Sequence, residues 1–96
     1  MKLFGGFMTK LIYFKIPSCP FCRQADKFLE ELMQENEQYR DIPIQIVDET
    51  SQRALADSYN YYYVPTFYLG EKKLHEGVIT KNRVKSILDE YLKKSE

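Results

Sequence analysis

The sequence has no surplus of either charge and no long apolar run. Its 14 basic and 14 acidic side chains give a net charge of zero, so no net field would attract nucleic acid or an anionic membrane. No apolar stretch approaches the ~20 residues that a membrane-spanning helix needs. Residues 1–9 are too short and too rich in glycine for a secretory signal peptide. We therefore expect a cytoplasmic protein whose partners are proteins or small thiols, with no nucleic acid and no membrane among them.

The sequence also lacks internal repeats, low-complexity segments and linkers. Its 96 residues, 44% of them apolar, are enough for one core and too few for two. They predict a single domain over residues 1–96, in which residues 1–9 form an N-terminal extension of uncertain role.

Metal-ligating side chains are scarce. The two cysteines, Cys19 and Cys22, and the distant His75 fall short of the four ligands of a closed zinc site. The cytoplasm keeps ordinary thiols reduced, so two cysteines three residues apart are better suited to redox chemistry than to a structural disulfide. We expect no metal and no tightly bound organic cofactor.

Hydrophobic periodicity predicts seven elements along the chain. Three-residue and four-residue steps between apolar side chains indicate the first helix, and Thr80 is expected to cap the last one. The predicted elements are, in order, a strand at residues 10–15, a helix at 20–36, a strand at 42–47, a helix at 52–59, strands at 66–69 and 73–76, and a helix after residue 80.

The order of these elements predicts the class of fold. A β-α-β unit requires parallel pairing, whereas the short connection at residues 70–72 favours an antiparallel hairpin. The predicted architecture is therefore α/β, with the order β-α-β-α-β-β-α and a mixed four-stranded sheet flanked by helices.

The cysteine pair lies where the first strand gives way to the first helix. Pro20 suits the first helical position, which makes Cys19 the N-cap residue. Free N–H groups and the helix dipole stabilise a thiolate there, so Cys19 is the candidate nucleophile. Cys22 lies one turn further on the apolar face and is the candidate resolving thiol. Phe21, between the two cysteines, is expected to be exposed and to form part of a docking surface.

A second candidate site surrounds Pro65, at the start of the third strand. A proline at a strand entry leaves the preceding backbone groups free to pair with another chain, and an X-Pro bond is the usual place for a cis peptide. A peptide substrate can dock beside Val64 and Pro65, where Tyr63 could line the groove.

Together these motifs resemble those of thioredoxins and glutaredoxins, in the thioredoxin superfamily. The resemblance rests on CPFC at residues 19–22 after a strand, Val64-Pro65-Thr66 before a hairpin, and Gly77 before the last helix, and it covers about residues 10–93. It implies a thioredoxin-like fold and a cis peptide bond before Pro65. It also implies that Val64 offers its backbone to the substrate cysteine or to glutathione.

The resemblance is divided between the two subfamilies. CPFC and the preceding Ser18 resemble the corresponding residues of glutaredoxins. However, glutaredoxins have a lysine three residues before the nucleophile, where this chain has Ile16, and residues 77–80 replace the segment with which glutaredoxins hold glutathione. Tyr13 stands where thioredoxins have a buried aspartate, so the usual carboxylate beside Cys22 is missing.

The resemblance leaves three functions open. The leading hypothesis is reduction of protein disulfides, with a flavin-dependent reductase or glutathione as the electron donor. The alternatives are a glutathione-dependent glutaredoxin and a noncatalytic redox-sensing module, and the intact cysteine pair argues against the latter.

Overall fold

The structure, a computed structural model, describes residues 10–95; the predicted N-terminal extension, residues 1–9, lies outside them. The described strands are β1 (Leu11–Lys15), β2 (Ile44–Asp48), β3 (Thr66–Leu69) and β4 (Lys72–Glu76). The described helices are α1 (Pro20–Glu35), α2 (Glu37–Arg40), α3 (Arg53–Asp57) and α4 (Lys81–Ser95).

The four strands form one mixed sheet in the order β2-β1-β3-β4. β1 runs parallel to β2, and Lys15 pairs with Asp48 at their carboxyl ends. β3 is antiparallel to both β1 and β4, and Thr66 at its start pairs with Phe14 near the end of β1. The predicted α/β fold with a mixed four-stranded sheet is confirmed. This topology brings the loop after β1 and the loop before β3 to the same end of the sheet.

Helices cover both faces of the sheet because successive side chains of a strand point to opposite sides. Leu11 and Tyr13 of β1 point into the core shared with α1 and α4. Ile12 and Phe14 point into a second, smaller core shared with α3. The apolar face of α1 is formed by Cys22, Ala25, Leu29 and Leu32, all buried. Helix α1, which begins next to Cys19, is therefore held against the sheet.

The sequence-based prediction was wrong about the segment after α1, where it assigned no element between the first helix and the second strand. The short helix α2 lies there, and the side chain of Asn36 accepts a hydrogen bond from the backbone N–H of Gln38, 2.9 Å away. Tyr39 of α2 is buried. One turn of helix is too short to show a period, so Asn36 was the only local signal.

The other differences concern boundaries. β2 begins at Ile44 rather than residue 42, α3 is shorter than residues 52–59, and β4 begins one residue earlier than predicted. The turn between β3 and β4 contains Gly70, whose φ of +63° suits a residue without a Cβ.

In the described part of the chain, no helix has the length and apolar character required to cross a membrane.

Candidate active site

Cys19 is the N-cap residue of α1, as predicted. Its backbone is extended, with φ −79° and ψ 121°, and Pro20 follows at the start of the helix. The backbone N–H of Cys19 donates to the carbonyl oxygen of Ile16 at 3.0 Å, and its own carbonyl accepts from the N–H of Arg23 at 3.0 Å. These two bonds fix Cys19 at the positive end of the helix dipole. No acidic side chain lies in the first turn of α1 to compete with the sulfur.

The environment of Cys19 favours its thiolate. Partial burial raises the pKa of Cys19, but hydrogen bonds from the Cys22 backbone, the Cys22 thiol and the Phe21 backbone lower it, and the charge of Arg23 lowers it further. The net result is a pKa below the ordinary thiol value. The side chain is partly exposed, so its sulfur can be reached from solvent.

The environment of Cys22 favours its neutral thiol. It is completely buried, and burial raises its pKa to about 12 despite a hydrogen bond from the backbone of Ile16. The Cys19 and Asp26 charges raise it as well. Both cysteines are free thiols and lie 3.5 Å apart. One exposed thiolate therefore lies beside one buried thiol, an arrangement that can exchange with an external disulfide and close to an internal one.

The peptide bond between Val64 and Pro65 is cis, as the resemblance implies. Pro65 is fully buried and its carbonyl oxygen accepts a hydrogen bond from the N–H of Gly77 at 2.8 Å. Gly77 has a φ of +94°, which a residue with a Cβ rarely adopts. The hydroxyl of Thr66 donates to the carbonyl of Tyr63. The loop before β3 is thus tied to Gly77, which follows β4, and to Thr66, the first residue of β3.

The side chain of Glu76 anchors this loop, and sequence reasoning missed it. One carboxylate oxygen accepts from the backbone N–H groups of Tyr62 and Tyr63 at 2.6 and 2.9 Å. The other accepts from the ammonium of Lys73 at 2.7 Å. These hydrogen bonds lower the pKa of Glu76 to about 2. No local pattern could have shown the loop contact, because the partners lie 13 and 14 residues apart.

Of the three consecutive tyrosines at residues 61–63, one packs against the core and two are exposed. Tyr61 packs on Phe14 with ring centroids 4.7 Å apart, whereas Tyr62 and Tyr63 are 85% and 70% exposed. Phe21, between the cysteines, is 46% exposed, in agreement with its predicted exposure. The site therefore presents aromatic surface both beside the cysteines and on the loop before Pro65.

Tyr13 occupies the position of the usual carboxylate, but it contacts a different one, Asp26, which lies one helical turn after Cys22. The Tyr13 hydroxyl is 2.7 Å from Oδ1 of Asp26 and 3.0 Å from the carbonyl oxygen of Cys22. The ammonium of Lys15 is 2.9 Å from Oδ2 of Asp26. The apolar spacing of α1 could not single out Asp26, because its partners belong to β1.

The fold and the cysteine pair define a thiol–disulfide oxidoreductase. The family model for thioredoxin matches residues 7–94. This chain belongs to the thioredoxin family. No match was found among the curated proteins.

Solved structures of thioredoxins have a similar fold. A mutant thioredoxin from Halobacterium salinarum is 22% identical with a TM-score of 0.63, covering 88% of this chain and 74% of that one. Mitochondrial thioredoxin 3 from Saccharomyces cerevisiae is 21% identical with a TM-score of 0.63, covering 86% and 78%. Oxidised thioredoxin O1 from Arabidopsis thaliana is 25% identical with a TM-score of 0.60, covering 88% and 78%.

Proposed function

We propose that this protein reduces disulfides in other proteins, with Cys19 as the nucleophile and Cys22 as the resolving thiol. The observation that carries the proposal is the contrast between the two sulfurs. Cys19 is partly exposed at a helix N-terminus and its pKa is lowered, whereas Cys22 is buried and its pKa is raised. Only the thiolate is nucleophilic, so attack on an external disulfide begins at Cys19.

The reaction has two exchange steps. The Cys19 thiolate attacks one sulfur of the substrate disulfide, which forms a mixed disulfide and releases the other substrate sulfur as a thiolate. Cys22 then loses its proton and attacks the Cys19 sulfur, which breaks the mixed disulfide and releases the second substrate sulfur. The substrate gains two electrons, and the enzyme leaves as the Cys19–Cys22 disulfide.

Docking is proposed to use the surface at the end of the sheet formed by Phe21, Tyr63 and Val64, with the buried cis Pro65 shaping the loop that presents it. Thr66 begins β3 next to the end of β1, so the loop before β3 leaves the sheet beside the loop that leads to Cys19. Tyr63 and Phe21 supply exposed aromatic area, which is typical of protein contact surfaces. Val64 supplies backbone groups for strand-like pairing.

Protein disulfides are proposed as better substrates than glutathione mixed disulfides. The segment before α4 offers few polar side chains to a bound glutathione, because Val78, which is 60% exposed, and the buried Ile79 are both apolar. The hydroxyl of Thr80 already caps α4 by accepting from the N–H of Arg83 at 3.1 Å. A small ligand depends on a few polar contacts, whereas a protein can use apolar area. We accordingly propose a flavin-dependent reductase rather than glutathione as the donor, and a cytoplasmic location, where such donors keep thiols reduced.

Two assays on one preparation test this proposal. The first follows insulin reduction with a dithiol or with thioredoxin reductase and NADPH. The second follows a glutathione mixed disulfide with glutathione and its reductase as the only electron source. We expect turnover in the first, little in the second, and none in either for Cys19→Ser. Fast turnover confined to the glutathione-coupled assay would make this protein a glutaredoxin, and inactivity in both would favour a noncatalytic module.

A further inference from the structure

The Cys22 proton must leave before the second exchange step can occur. Cys22 is fully buried, and as a thiol it is a poor nucleophile until a base removes its proton. Water cannot reach it directly in this state. A group that accepts the proton must therefore be close to Cys22 and must itself communicate with solvent.

Asp26 satisfies the first condition. It lies four residues after Cys22 on α1, which places both side chains on the same face of the helix one turn apart. Its charge acts on the Cys22 thiol. The Tyr13 hydroxyl is within 2.7 Å of the Asp26 carboxylate and within 3.0 Å of the Cys22 carbonyl oxygen. One side chain from β1 therefore contacts both the Asp26 carboxylate and the backbone of Cys22, which holds the carboxylate beside this turn of the helix.

The geometry around the Tyr13 hydroxyl suits both protonation states of Asp26. A phenol has one proton to donate and lone pairs with which to accept. When Asp26 is ionised, the phenol donates to it. When Asp26 has taken up a proton, the carboxylic acid can donate to the phenol oxygen and the phenol can donate to the Cys22 carbonyl. Tyr13 is fully buried and stacks on Phe67 at 4.7 Å with an interplanar angle of 1°, so its hydroxyl is fixed in place.

Asp26 also satisfies the second condition. Its side chain is 39% exposed and lines an open groove of about 700 Å³ between α1, α2 and β2. The charged and titratable groups that line this groove are Tyr13 and Lys15 from β1, Asp26 and Glu30 from α1, and Arg40 from α2. Lys15 pairs with Asp26 at 2.9 Å. A proton on Asp26 can therefore leave to solvent.

We propose that Asp26 accepts the proton of Cys22 in the resolving step, with Tyr13 as the positioning residue; this inference rests on the proposed function. The proton moves from the Cys22 sulfur to the Asp26 carboxylate. The Cys22 thiolate then attacks the Cys19 sulfur, the bond between Cys19 and the substrate sulfur breaks, and the substrate leaves as a thiolate. Asp26 returns its proton to solvent through the groove.

The test uses the reduced full chain and the small aromatic disulfide 5,5′-dithiobis(2-nitrobenzoate) in a stopped-flow instrument. The first equivalent of coloured thiolate reports the attack by Cys19, and the second reports resolution by Cys22. We expect Asp26→Asn to slow the second phase by about 100-fold at neutral pH, the lower end of the range for general acid–base catalysis. The first phase should change by no more than about twofold, since a partly exposed charge is screened by solvent.

The pH profile and matched variants separate proton transfer from structural support. Without Asp26, the second phase of Asp26→Asn should follow the small equilibrium fraction of Cys22 thiolate, which rises about tenfold per pH unit below its pKa. Asp26→Glu should restore much of the rate. Tyr13→Phe, which keeps the ring stack, should slow the second phase less than Asp26→Asn does. Glu30→Gln, which removes the other groove carboxylate, should leave both phases unchanged.

Two outcomes would overturn the inference. An unchanged second phase in Asp26→Asn would remove Asp26 from the reaction. A faster second phase would mean that Asp26 acts only as a like charge that opposes the Cys22 thiolate. Either result can accompany normal insulin reduction by the wild-type protein, so it would leave the proposed function intact. Conversely, absent insulin reduction with a normal two-phase response would overturn the proposed function and leave the role of Asp26 standing.

Discussion

The difference between the two thiols predicts strongly selective alkylation of the wild-type protein by iodoacetamide at pH 7. A thiol with a pKa of about 12, as for Cys22, is ionised in about one molecule in 10⁵ at that pH. The pKa of Cys19 lies below 9.0, so its ionised fraction exceeds about 1%. The ratio of thiolate fractions therefore exceeds about 1,000.

Intrinsic nucleophilicity offsets part of this ratio. The reactivity of a thiolate rises with its pKa with a Brønsted coefficient of about 0.4–0.5. Over three pKa units, this makes the Cys22 thiolate about 15 to 30 times more reactive than the Cys19 thiolate. At least about a 30-fold preference for Cys19 remains. The complete burial of Cys22 increases the preference further.

The assay is a time course of alkylation followed by tandem mass spectrometry, which assigns the label to Cys19 or Cys22 at early times. The denatured protein is the control, since both thiols should react at similar rates once the helix and core are lost. Repeating the time course across pH should give a Cys19 midpoint below its ordinary value of 9.0. Comparable initial labelling of both cysteines in the folded protein, or a midpoint at or above 9.0, would refute the reasoning.

Four further predictions concern the loop, the core and the docking surface. Glu76→Gln should raise KM for a protein disulfide while leaving Cys19 alkylation unchanged, because Glu76 holds the Tyr62 and Tyr63 backbone. The pKa of Glu76 in the folded protein, about 2, lies below its ordinary value of 4.5. Glu76 should therefore stabilise the wild-type protein above about pH 4.5, and this stabilisation should be lost as the pH falls through about 2. Denaturant titrations of Glu76→Gln should lack this pH dependence. Phe67→Ala should lower the free energy of unfolding by about 3–5 kcal/mol, because Phe67 is fully buried in the central strand pair and stacks on Tyr13; a loss below about 1 kcal/mol in urea unfolding would contradict this packing. Phe21→Ala should raise KM for insulin several-fold and leave the rate with a small aromatic disulfide unchanged, and equal effects on both substrates would argue against a docking role.

The elements that carry local patterns were predictable from the sequence. The run of apolar side chains in β1 and the three- and four-residue steps of α1 indicate the strand and helix that meet at Cys19, and Pro20 marks the helix start. The described structure confirms these elements and the N-cap position of Cys19. Such signals depend on residues within one or two turns of each other, so a single sequence is enough to show them.

The polar contacts around the candidate site were decided only by the tertiary structure. Tyr13 meets Asp26 because β1 packs against α1, and Glu76 meets the backbone of Tyr62 because the register of β4 brings its end beside the loop before β3. Each pair is 13 or 14 residues apart, and no helical or strand period connects them. The sequence by itself thus determined the positions of the two cysteines and the start of the helix at Pro20. The packing of separate elements decided which carboxylates surround the site.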